Sequence, residues 1–164
     1  MPTMPAATVS LAITGYSALC RIGRTYLDFQ RFLNDNPHRP VVEMDTVEGR
    51  KGGRVLLTLH FVKTEFMLAF LRQTNDSQSV ITILEKLYLT LGQDIFKRIM
   101  PLLLTDNGSE FSNPKALEFD QQHNRRTHLF YCDASSPWQK GSSEKNHELI
   151  RYFIPKGTRM NEFN

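Results

Sequence analysis

Three acidic residues stand out by where they fall in the chain. Asp45 interrupts an apolar stretch, with Val41-Val42 before it and Val47 after it. Asp106 follows Leu102-Leu103-Leu104 and precedes Asn107-Gly108. Glu144 comes directly after Ser142-Ser143, where a helix is expected to begin. Carboxylate oxygens are the preferred ligands of hard divalent cations. Two such ions held close together can activate a nucleophile and stabilise a leaving oxygen at a phosphodiester. Taken singly, two of these acids have ordinary explanations: Asp106 as a turn residue before Asn-Gly, Glu144 as a charge suited to a helix start. Asp45 is harder to explain that way, because a charge among apolar neighbours is costly without a partner. The set of three is more specific than any member.

Other residues cluster around these acids in the sequence. Gly108 would let the backbone approach closely beside Asp106, and Asn107 and Glu110 could support the carboxylates from behind. His147 lies one helical turn beyond Glu144, within reach of the same site. Lys140, Lys145, Asn146 and Arg151 surround the last helix and are candidates for contact with phosphates. Trp138, in the loop before Glu144, could stack on an unpaired base if exposed, or pack inside if not.

The elements that must position these groups can be read from periodicity. Residues 21–33 carry apolar side chains at helical spacing and end at Asn34-Asp35-Asn36-Pro37. Strands are expected over Val41 to Thr46, Val55 to Val62 and Phe66 to Leu71, joined by a glycine-rich turn and by Lys63-Thr64 as a meander. Val80, Ile83, Leu84, Leu87, Tyr88 and Leu91 mark the clearest helix, capped by Asp76 or Ser77 and ended by Gly92. A short helical piece (94–100) precedes a buried strand, Leu102 to Thr105. Asn113-Pro114 should open a helix to about His123. Thr127 to Cys132 reads as a fifth strand, and Ser142 or Ser143 as the cap of a helix running to Phe153 with Leu149, Ile150 and Phe153 on its core face. The order β-β-β-α-β-α-β-α implies an α/β fold, a mixed five-stranded sheet covered by helices. The other acids, Asp28, Glu85, Glu118 and Asp120, fall at helix-like positions and read as solvated.

Composition sets the frame. The 164 residues, 40% of them hydrophobic, suit one domain, and the net charge of +3 permits nucleic-acid binding without demanding it. No apolar run is long enough to cross a bilayer. Cys20 and Cys132 form neither a disulfide framework nor a zinc motif and read as buried or incidental thiols of a reducing cytoplasm. Residues 1–20 are small and uncharged. They lack the positive region of a secretory signal and read as a leader without packed structure.

Three blocks then take on a combined meaning: Val41-Val42-Glu43-Met44-Asp45-Thr46-Val47-Glu48-Gly49, Leu104-Thr105-Asp106-Asn107-Gly108-Ser109-Glu110-Phe111 and Gly141-Ser142-Ser143-Glu144-Lys145-Asn146. They resemble the three blocks of the integrase catalytic core, in the form carried by bacterial insertion-sequence transposases of family thirty. Phe130 to Asp133, Trp138 to Gly141 and Arg151 to Thr158 are similar to the same family. The resemblance implies an RNase H-like fold for a catalytic core at 41–158, preceded by a helical linker segment (21–40) and followed by a tail (159–164). It implies an Asp-Asp-Glu triad at Asp45, Asp106 and Glu144 holding two Mg²⁺ or Mn²⁺ ions. The implied partners are DNA, both terminal inverted repeats and target, and further copies of the chain. The implied location is the bacterial cytoplasm, at the nucleoid. The implied reaction is strand cleavage at a transposon end followed by strand transfer. Family members carry a helix-turn-helix region upstream and more helical sequence downstream, and nothing here matches either. The alternative expectation is therefore a truncated, inactive remnant that binds DNA or full-length transposase without catalysis.

Overall fold

Five strands and the helices between them form in the order that the hydrophobic pattern indicates. The computed structural model describes residues 19–160, the side chains of Ser142, Ser143, Glu144 and Asn146 excepted. Strands β1 (Val41–Glu48), β2 (Val55–Phe61), β3 (Phe66–Arg72), β4 (Leu102–Thr105) and β5 (His128–Tyr131) make one sheet in the order β3-β2-β1-β4-β5. The meander β1-β2-β3 is antiparallel, and β4 and β5 add parallel to β1. This is the mixed five-stranded sheet of an RNase H-like fold.

Helices α1 (Tyr26–Asp35), α2 (Ser77–Leu91), α3 (Gln93–Ile99), α4 (Pro114–Glu118) and α5 (Gly141–Phe153) accompany the sheet. On one face Val42, Met44, Leu57, Leu59, Leu103 and Leu129 pack against Val80, Leu84 and Tyr88 of α2 and Phe96 of α3. On the other face Leu102, Leu104, Phe130 and Cys132 pack against Phe29 of α1. Because side chains alternate along a strand, β1 turns Val42 and Met44 to the first core and Glu43 and Asp45 to the opposite face. A strand that is polar on one face at its centre must have those groups covered or used.

Local sequence explains the helix boundaries. Asp76 caps α2 by accepting from Ser79 N at 2.7 Å, and Gly92 ends it with φ of 79°. Helix α1 begins later than apolar spacing suggests, at Tyr26, because Thr25 and Asp28 form a capping box there. Asn113 caps α4 as expected, yet the helix stops at Glu118 rather than near His123. Phe119 instead bridges to Arg125, and the turn between them is tied by Asp120, whose carboxylate accepts from Gln122 N and Asn124 N at 3.0 and 2.8 Å.

Two of the acids expected to face solvent do not. Glu118 is buried and is held by Arg24 at 2.6 Å, Arg125 at 3.1 Å and Leu129 N at 3.1 Å. Asp120 is also buried and accepts from the Tyr88 hydroxyl at 3.0 Å. Their partners come from residues far away in the chain, which local spacing does not reveal. Helix α5 departs from expectation as well. Its N-cap is Lys140, without a side-chain cap, and Leu149 and Phe153 are exposed rather than core-facing. Residues 1–18 of the expected leader (1–20) and the last four residues lie outside the described residues, whereas Met160 of the expected tail is buried.

Candidate active site

Register brings the first two acids together. Glu43 pairs with Leu104 and Met44 with Thr105 across the parallel β1–β4 ladder, so Asp45 and Asp106 occupy the next rung. Neighbouring strands lie about 4.8 Å apart, and both residues line one cavity of 440 Å³ with Asn107, Gly108, Cys132 and the 133–137 loop. On the other side of β1, Asp45 pairs with Thr58. Asp106 stands just past the carboxyl end of β4, where its Oδ1 accepts from Gly108 N at 2.9 Å. That short turn explains Asn-Gly after the strand: Asn107 Nδ2 donates to Cys132 O at 2.8 Å, tying the turn to the end of β5.

Gly108 is needed for space rather than for conformation, since its φ is −57°. A β-carbon there would collide with the carboxylate of Glu110, which is buried directly behind it. Glu110 thus fills the volume under the Asp106 turn.

Asp45 has the most constrained surroundings. Its Oδ1 accepts from Thr46 N at 2.7 Å, and its Oδ2 lies 2.6 Å from Lys140 Nζ. His147 approaches from α5, with Nδ1 3.8 Å from Asp45 Oδ2 and Nε2 3.2 Å from Thr58 Oγ1. Burial pushes the His147 imidazole below its ordinary value, the Asp45 charge opposing the shift. The ring is therefore neutral near pH 7, a state suited to one donated and one accepted hydrogen bond. Two rungs further down β1 and β2, Glu43 and His60 are both buried, with His60 Nδ1 3.6 Å from Glu43 Oε2. Cys132 is a buried thiol pushed up to about 12 by desolvation and is not a thiolate.

The loop that delivers Lys140 is itself fixed. Asp133 N donates to Gln139 Oε1 at 2.7 Å, and Gln139 Nε2 donates back to Asp133 Oδ2 at 2.8 Å. The 3₁₀ turn Pro137–Lys140 follows, with Trp138 exposed and Lys140 turned inward. Lys140 was expected to face phosphates. In this arrangement it is 7% exposed and spends its charge on Asp45. Lys145 is exposed on α5, and Arg151 donates to Glu48 O at 2.6 Å. Glu144 lies in the first turn of α5, on the element that carries His147 to Asp45; its side chain and that of Asn146 lie outside the described residues.

A divalent cation fits what is described of this site. The donors are carboxylate oxygens on one rung, open to a cavity, and an ammonium already stands against Asp45 Oδ2 where positive charge is wanted. Among the described residues no group of three potential ligands is assembled. Sequence reasoning missed Lys140 as a partner of Asp45, and it missed Glu43 and His60. The i, i+2 spacing of Glu43 and Asp45 was a usable signal for a second buried acid on the same face.

No family model matches the chain. It is similar to the transposase InsI of insertion sequence element IS30C from Escherichia coli (strain K12), 31% identical over 121 residues, which is 74% of this chain and 29% of that protein. It is similar to the transposase of insertion sequence element IS4351 from Bacteroides fragilis, 25% identical over 121 residues, 74% of this chain and 34% of that protein. Among solved structures, the catalytic core domain of BIV integrase aligns with a TM-score of 0.43 at 14% identity, covering 66% of this chain and 64% of that one. The chain therefore spans about a third or less of the length of these transposase relatives.

Proposed function

Starting from its homology to IS30-type insertion-sequence transposases, we propose that this chain is the catalytic core of a metal-dependent DNA transposase, acting at transposon ends and then on target DNA. The observation that supports this reading is that Asp45 and Asp106, each one residue past the last β1–β4 pair, line one cavity. An acid within an apolar strand, an acid at the end of the neighbouring parallel strand and a third acid, Glu144, at a helix start supply three carboxylates of the type that can hold two divalent ions for phosphoryl transfer.

In this reading Asp45, Asp106 and Glu144 hold Mg²⁺ or Mn²⁺. The ions supply an activated oxygen nucleophile and a stabilised leaving oxygen. The chain's own residues do the rest. Asn107 and Gly108 fix the Asp106 carboxylate through the turn that ends on Cys132 O. His147, neutral and bonded to Thr58, holds α5 against Asp45. Lys140 neutralises Asp45 and would meet a phosphate in the cavity if a bound metal displaced it from that carboxylate. Exposed Trp138, in the same turn as Lys140, offers a stacking surface for a base at the cleaved end.

The test is direct. Purified protein with Mn²⁺ and a duplex bearing the element's terminal inverted repeat should be nicked at the repeat end. Asp106→Asn and Asp45→Asn should each lower the rate by at least a hundredfold, with Asp106→Asn leaving the melting temperature within a few degrees. Nicking by either variant at the wild-type rate would sink the assignment, and a wild-type chain that binds the repeat without nicking it would establish the inactive remnant instead.

A further inference from the structure

The turn between β1 and β2 carries Arg50 and Lys51 among Gly49, Gly52 and Gly53. By itself it is an ordinary basic turn. The segment that follows α5 changes that, because it folds back onto the turn. Gly157 N donates to Gly49 O at 3.1 Å, and Arg50 N donates to Thr158 O at 3.1 Å. Arg151, in the last turn of α5, donates to Glu48 O at 2.6 Å and starts the same seam. A β-carbon on Gly49 would collide with the Thr158 carbonyl, so the two backbones meet only because glycine stands there. Met160 is 1% exposed and anchors the end of the segment against the turn.

The docking brings Arg159 beside Arg50 and Lys51. These three cations, with Gly52, Gly53 and Met160, line a cavity of 400 Å³ that contains no acid among its described lining residues. None of the three is ion-paired with a described residue. Gathering like charges in one concavity costs repulsion, and an anion held there would relieve it. The position matters too. Arg50 stands two residues past the end of β1, the strand that carries Asp45, and its cavity shares no described lining residue with the one that holds Asp45 and Asp106.

We propose that this cavity is a second phosphate-binding site, gripping the DNA backbone away from the reacting phosphodiester and setting the angle at which the duplex crosses the sheet. The proposal rests on the reading of the chain as a DNA-processing core. It differs from it in assigning the grip to the β1–β2 turn and the 155–160 segment, which touch neither carboxylate. Phosphate contacts of this kind position a duplex without reading its sequence.

The experiment measures binding of a fluorescent 30-base-pair duplex by anisotropy across a salt series, for wild type, Lys51→Ala, Arg159→Ala and the double variant. Each single variant should lower the slope of log K against log salt by about 1. The double variant should bind at least tenfold more weakly at about 0.1 M salt, and Lys51→Arg should keep the wild-type slope. Mn²⁺ binding, followed by calorimetry without DNA, should be unchanged in all four. A double variant with wild-type slope and affinity overturns the phosphate site while leaving the transposase reading intact. A wild-type chain that binds no duplex at all overturns both.

Discussion

Lys140 Nζ lies 2.6 Å from Asp45 Oδ2, so the carboxylate proposed to bind metal is already neutralised by an ammonium carried on the loop that leads into α5. Three residues of this arrangement, Asp45, Lys140 and His147, come from a strand, a 3₁₀ turn and a helix. Metal and ammonium cannot both occupy the Oδ2 position, so they compete.

That competition has a measurable sign. Lys140→Met should raise the Mn²⁺ affinity seen by calorimetry, by about tenfold for each 1.4 kcal/mol of competition removed. The metal-free protein should at the same time lose stability, by less than the ~3–5 kcal/mol of a fully buried pair, because Asp45 keeps some exposure. Added Mn²⁺ should then restore more melting temperature in the variant than in the wild type. Equal Mn²⁺ affinity in the two proteins would show that Lys140 does not hold the metal position.

Gly108 and Glu110 should behave as a coupled pair. Gly108→Ala forces the new methyl group onto the buried Glu110 carboxylate, an overpacking cost of about 1–3 kcal/mol. Urea denaturation of Gly108→Ala, Glu110→Ala and the double variant should give a double variant more stable than the sum of the singles predicts. Additive losses would mean that the two side chains do not share the space beneath the Asp106 turn.

Arg24 should be worth far more than a surface arginine. It bonds to the buried carboxylate of Glu118 through both Nε and Nη2, at 3.2 and 2.6 Å. Arg24→Ala should cost about 1.5–3 kcal/mol, the range for hydrogen bonds to charged groups. Arg31→Ala, whose partner Asp28 is 3.8 Å away on an exposed helix face, should cost under about 0.5 kcal/mol.

The cap of α1 predicts a pH dependence. Hydrogen bonds from the Thr25 side chain and backbone hold the Asp28 carboxyl below its ordinary value. A carboxyl depressed on folding stabilises the native state above its unfolded value, about 3.9, and that contribution is lost as pH falls through the lower folded value. Thr25→Ala should therefore be less stable than wild type by about 1 kcal/mol at pH 7, and the gap should narrow below about pH 4. A gap constant from pH 7 to pH 2 would place the effect elsewhere than in the charged cap.

Much of this was legible in the chain. Alternation and apolar runs located all five strands, since a half-buried strand must present one face to a core. Asp45 and Asp106 were legible for the same reason: an acid within or just after an apolar strand breaks a pattern that burial enforces. Helix starts were legible where a side chain caps the backbone, as at Asp76 and Asn113, and misplaced where none does, as at α5.

What the sequence alone determined, then, is the elements and the identity of the candidate carboxylates, because local periodicity and local polarity encode both. Only the tertiary structure decided which distant groups meet. Lys140 reaches Asp45 across 95 residues, Arg24 reaches Glu118 across 94, and the 155–160 segment docks on a glycine turn more than a hundred residues earlier. These partners come from loops, turns and helices packed against the sheet, so the packing of the whole fold, and not any stretch of neighbouring residues, decides which of them meet.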